Sequence, residues 1–109
     1  MLMNEYQESA KKTAVFDKEH ALVYLTLGLA GEAAEVANKI KKPLRQHGVV
    51  ELSDDSKKEL AKELGDVLWY LSLLAGELGY SLDEVAQMNI NKLMSRQERG
   101  VIEGDGDNR

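Results

Sequence analysis

The chain contains no cysteine, which excludes disulfides and thiolate metal sites. It has one proline in 109 residues and no composition break that reads as a linker. A single domain is expected, able to bury about two-thirds of its unfolded surface. No apolar run reaches the roughly 18 residues of a membrane-spanning helix and no signal peptide is evident, so the expectation is a soluble, cytoplasmic protein without a membrane partner. Cations are in deficit. Fourteen Lys and Arg against 19 Asp and Glu give a formal net charge of −5, the wrong sign for nonspecific binding to a nucleic-acid polymer. Strand signals are missing as well: no stretch keeps a two-residue alternation between turn residues, whereas Leu, Ala, Glu and Lys dominate, and the fold class is therefore read as all-α.

What the sequence does have is four carboxylates at matched spacing, Glu32-Ala33-Ala34-Glu35 and Glu63-Leu64-Gly65-Asp66, with 27 residues between Glu35 and Glu63. Residues three apart on an α-helix lie about 60° from each other around the axis, so each pair projects from one face. From about His20 to Lys42, Leu22, Leu25, Leu29, Val36 and Ile40 recur at core-facing steps, and Glu32 falls where the stripe calls for another leucine. A carboxylate there is costly to desolvate without a partner. A second helix, from about Ser56 to Gly79, carries a seam of Leu60, Leu64, Val67, Leu71, Leu74 and Leu78, with Glu63, Asp66 and Tyr70 as the neighbouring row. Gly65 and Gly76 inside it suggest close approach of another backbone. One short acidic motif alone reads as an ordinary solvated face. Two of them, one within an apolar stripe, point to a shared cation site, and hard carboxylate oxygens favour Mg²⁺ or Mn²⁺. A di-iron bundle would need Glu-x-x-His pairs, but the only two histidines, His20 and His47, stand outside both motifs.

The remaining elements follow from caps. Asn4 and Gln7 resemble a capping pair opening a first helix that runs to about Val15, with Tyr6 and Ala10 facing the core. Pro43 to Asp55 reads as a connection closed by a Ser56/Glu59 capping box. Ser81 and Glu84 repeat the device, and the last helix stops at Gly100 near Arg99. Along that helix a row begun by Leu82 and Val85 turns basic at Asn89, Lys92, Arg96 and Arg99, while Ala86, Ile90 and Leu93 continue an apolar contact beside it. Alone, this is a surface stripe of cations suited to a helix C-terminus. Next to a metal-binding acid cluster it suits a polyphosphate, whose charge is shared between metal and Lys or Arg. Trp69 and Tyr70 read as core or interface aromatics rather than base-stacking groups, and the GDGDN run near the end is too short for a calcium loop.

With E-x-x-E at Glu32 and Glu35, then E-x-x-D at Glu63 and Asp66, in the contexts GLAGEAAEVANKIKK, ELGDVLWYLSLLAGELG and NINKLMSR, the chain resembles the MazG-like all-α nucleoside triphosphate pyrophosphohydrolases over about residues 22 to 100. The resemblance implies a helical bundle completed by oligomerisation, as a homodimer or dimer of dimers, in a domain spanning residues 1–100 with a mobile tail at 101–109. It implies hydrolysis of a nucleoside triphosphate to the monophosphate and pyrophosphate. Glu32, Glu35, Glu63 and Asp66 would be the Mg²⁺ ligands and the catalytic acids, and Asn89, Lys92 and Arg96 the substrate contacts. Two alternatives remain: a phosphoribosyl-ATP pyrophosphohydrolase, and a noncatalytic helical protein that binds nucleotide or a divalent cation.

Overall fold

Side-chain caps set where the helices begin. The computed structural model describes residues 1–109 as four α-helices, α1 (Met3–Lys11), α2 (Ala21–His47), α3 (Asp54–Glu77) and α4 (Leu82–Arg99), with no strand and a short 3₁₀ turn at Lys18–His20 before α2. Ser81 and Glu84 form the expected box at the start of α4, and Gly100 ends that helix in the left-handed region at φ 69°. Elsewhere the boundaries move. The N-cap of α3 is Ser53, whose hydroxyl accepts from the Ser56 amide, so Ser56 is capped rather than capping and Asp54 and Asp55 fill the first turn. That placement sets two acids against the positive end of the helix dipole.

Pro43 does not begin a connection; it lies within α2. The helix continues past it although proline removes a backbone donor and crowds the carbonyl four residues earlier: residues 44–47 complete a last turn, and the Gly48 amide donates to Leu44 O at 2.8 Å. Gly48 has φ 71°, a conformation that favours glycine.

The first helix ends at Lys11 rather than Val15, and Asn4 and Gln7 do not cap it. They cap α4 instead. Asn4 Oδ1 accepts from the Asp83 amide at 3.1 Å and Gln7 Oε1 from the Leu82 amide at 3.0 Å, while buried Gln7 also donates through Nε2 to Ser72 O and Tyr80 O. Two of the orphan donors of α4 are thus satisfied by α1, a helix about 75 residues earlier in the chain.

α2 and α3 form a long antiparallel hairpin, and α1 packs on α3 and α4 at its far end; α4 does not pack on α2. The core is small: Ala10, Ala21, Leu25 and Leu73, flanked by Tyr6, Ala14, Phe16, Trp69, Tyr70 and Leu74. The leucine seam of α3 is not its centre, since Leu64 is 56% and Leu78 59% exposed. Leu22 of the α2 stripe is also exposed, and only Leu25 of that stripe is fully buried. Nor do the α3 glycines make close contacts. A Cβ at Gly65 would meet open space and one at Gly76 only ordinary contact with Gln7 and Lys11.

The tight glycine is Gly28 on α2, where a Cβ would stand 2.1 Å from the Tyr70 ring. Trp69 is also accounted for by packing. Its indole donates to Thr13 Oγ1 at 2.8 Å and meets Tyr70 edge-on at 4.9 Å.

In total the chain exposes 8157 Å². A folded monomer of this mass should expose about 6,000 Å², and an unfolded chain about 17,500 Å². About half the unfolded surface is buried, not the expected two-thirds. The radius of gyration, 16.9 Å, likewise exceeds the roughly 13 Å of an ordinary domain of this length.

Candidate metal centre

The hairpin brings the two acidic motifs together. Glu32 on α2 faces Glu63 and Asp66 on α3, and one carboxylate oxygen from each lies within 4.8 Å of the others. Glu32 and Glu63 are half-buried and Asp66 is exposed. The spacing explains the placement. Glu63 and Asp66 share a face of α3 as an i, i+3 pair, and Gly28, one turn before Glu32, lets the Tyr70 ring close against α2 and draw the two helices together at this level. Glu35 is exposed and stands outside the triad.

The electrostatics match this geometry. Partial burial, then the negative charges of Asp66, Glu63 and Glu35, hold the Glu32 carboxyl above its ordinary value. The Tyr70 hydroxyl is pushed up to about 12 by its hydrogen bond with Tyr24, by burial, and by the nearby charges of Tyr24, Glu32 and Asp66. It is therefore neutral at any physiological pH. One cation reaches the cluster: Lys39 Nζ lies 3.5 Å from Glu63 Oε1. Three carboxylates against one ammonium leave a net deficit of two positive charges, which a divalent cation would supply.

The donors fit such an ion. All are hard carboxylate oxygens, and ligands at the 2.0–2.1 Å of Mg²⁺ lie about 3 to 4 Å apart, so closure from 4.8 Å asks only for small side-chain rotations. In the sequence Lys39 reads, with Lys41, Lys42 and Arg45, as part of a solvated basic run after the first acidic motif, yet its position four residues after Glu35 and seven after Glu32 puts it on the same face of α2. A second acidic group, Asp17, Glu19 and His20, is exposed. Asp17 accepts from the Glu19 amide and pairs with His20, contacts that cap the 3₁₀ turn.

The basic row of α4 lies apart from these acids. Asn89 and Lys92 border a different hollow, with Leu78, Tyr80, Val85, Met88 and Asp107. Arg96 is buried, at 6% exposure. The stretch expected to be a mobile tail, residues 101–109, is folded back over this row. Lys92 Nζ lies 2.8 Å from Asp107 Oδ1, and the Arg96 guanidinium donates to the Asp107 carbonyl at 2.6 Å and to Oδ1 at 3.3 Å. The two cations hold the Asp107 carboxyl below its ordinary value. Meanwhile Ile90 and Leu93, expected to continue the apolar contact, point to solvent.

Residues 20–101 match the family model of the MazG nucleotide pyrophosphohydrolase domain. The chain is also 46% identical over 115 residues to the Gene 37 protein of Mycobacterium phage L5, the alignment covering 100% of each. No solved structure gave a significant match.

Proposed function

The chain belongs to the MazG nucleotide pyrophosphohydrolase family, and from that premise we propose that it hydrolyses a nucleoside triphosphate to the monophosphate and pyrophosphate in a Mg²⁺-dependent reaction. The observation that carries this reading is the convergence of Glu32, Glu63 and Asp66 from two helices onto one point, with a charge deficit suited to a divalent ion. Glu35, whose charge already bears on Glu32, joins them through an outer contact or a second ion. When bound, Mg²⁺ neutralises triphosphate charge and lowers the pKa of a coordinated water. The acids position the ion, and any carboxylate left free of it can accept the water's proton. Neutral Tyr70 supplies a hydroxyl beside the cluster that neither adds charge nor competes for the cation.

The substrate phosphates would be met by Asn89, Lys92 and Arg96. Within one chain α4 meets α3 but not α2, and its row borders a hollow beside Leu78 and Tyr80 rather than the acids, so the row that completes a site would come from a second copy. The surplus of about 2,000 Å² of exposed surface is of the size that a stable subunit interface covers. A homodimer or dimer of dimers is the assembly proposed.

The test is a panel of canonical and damaged NTPs and dNTPs, with phosphoribosyl-ATP, assayed for monophosphate and pyrophosphate with and without Mg²⁺. Pyrophosphate release from at least one triphosphate, lost on chelation, is expected. Binding without release from any of them would reduce the chain to a nucleotide-binding protein.

A further inference from the structure

The tail is a built loop. The Arg109 guanidinium donates to the carbonyls of Val101, Ile102 and Gly106, closing residues 101–109 on themselves. Its glycines suit this closure: Gly106 has φ 82°, a conformation that favours glycine, and at Gly104 a Cβ would stand 2.7 Å from the Arg109 side chain. The loop aims one carboxylate, Asp107, at Lys92 and Arg96 together. A carboxylate bridging an ammonium and a guanidinium makes the same charge-assisted contacts that a phosphate oxygen would make. Lys92 and Arg96 are the two cations already assigned to the substrate's phosphates, so one pair of cations has two anionic claimants.

We propose that the 101–109 loop is an autoinhibitory strap whose Asp107 carboxylate occupies the phosphate cradle of Lys92 and Arg96 and is displaced by the triphosphate on binding. This rests on the reading of that row as the phosphate site. The strap is suited to displacement on its outer side: the Asp107 side chain is 77% exposed, and its pair with the partly exposed Lys92 is of the weak, salt-screened kind, while the buried Arg96 anchors it from within. A polyanion carrying more charge wins the cradle, whereas a monovalent anion does not.

The experiment is calorimetric titration of the full-length protein with inorganic tripolyphosphate in Mg²⁺, comparing wild type, Asp107→Ala, Arg109→Met and Lys92→Ala. Removing the competing carboxylate should tighten tripolyphosphate binding by about two- to fivefold, the scale of one exposed ion pair. Arg109→Met, which opens the loop, should shift affinity the same way, and Lys92→Ala should weaken it. Unchanged or weaker binding in Asp107→Ala, with Lys92→Ala still weakened, would overturn the strap and leave the phosphate row standing. Unchanged binding in Lys92→Ala would overturn both.

Discussion

Replacing Glu32, Glu63 or Asp66 by its amide keeps volume and shape while removing a charge from the triad. Each of Glu32→Gln, Glu63→Gln and Asp66→Asn should lower turnover by about a hundredfold or more, the scale of losing a charge-stabilising group. Glu35→Gln should fall with them, because its charge reaches Glu32. Steady-state assays at limiting Mg²⁺ check this, and wild-type rates in all four would remove the shared site. Without metal the same change at Glu32 has the opposite value. Its raised carboxyl means that the native state keeps a proton the unfolded chain releases, so stability declines as pH rises from the ordinary 4.5 through the raised value. In chelator at neutral pH, Glu32→Gln should therefore melt above the parent, with the gap closing by about pH 4; a gap of the other sign in calorimetric scans would contradict the burial and the repulsion that raise this carboxyl. Gly28→Ala probes the same site sterically. Its methyl would meet the Tyr70 ring, and a cost of about 1–3 kcal/mol in urea unfolding is expected for such overpacking, together with weakened Mg²⁺ binding as the hairpin is pried apart.

At the scale of the elements, α4 is anchored through polar groups of α1. Gln7 is buried and makes three hydrogen bonds to backbone groups of Ser72, Tyr80 and Leu82. Gln7→Ala should cost about 3 kcal/mol, since each buried partner left unsatisfied costs about 1 kcal/mol or more. The chemical-denaturation midpoint reports it, and a loss under about half that would mean that water replaces the amide. This anchoring also shows where the sequence could be read and where it could not. The Ser81/Glu84 box and the Gly100 stop were legible because each is closed by contacts within one turn. Helical spacing on a hairpin likewise explains why Glu32 meets Glu63 and Asp66, while Glu35 stays outside that group. The roles of Asn4 and Gln7 were not legible, because a cap reaching across about 75 positions looks like a local one until the helices are placed. Ser53 and Ser56 were confused because serine three residues from serine offers two equivalent starts, and the acids at 54 and 55 decide between them. Pro43 misled because proline lacks the backbone donor and crowds the carbonyl four residues earlier, yet α2 runs through it to His47.

For the whole molecule the deciding feature is the surface left uncovered. Leu64 and Leu78 of α3 and Ile90, Leu93 and Met94 of α4 are exposed, and a soluble monomer rarely leaves so much apolar surface unmatched. Light scattering at micromolar concentration should give at least twice the 12.1 kDa chain mass. Leu64→Glu should shift the species toward monomer and reduce turnover together; an active, strictly monomeric wild type would refute association. The extended hairpin has a further consequence. If a second copy supplies the burial that the small core lacks, dilution acts as a denaturant: the melting temperature climbs with protein concentration, and the folded fraction follows mass action. Well below the dissociation constant of such a dimer, each chain would be an incomplete fold rather than a slow catalyst. Activity would then rise more steeply than gene dosage, approaching the square of chain concentration for a dimer, so that the abundance of the chain itself sets when it begins to work.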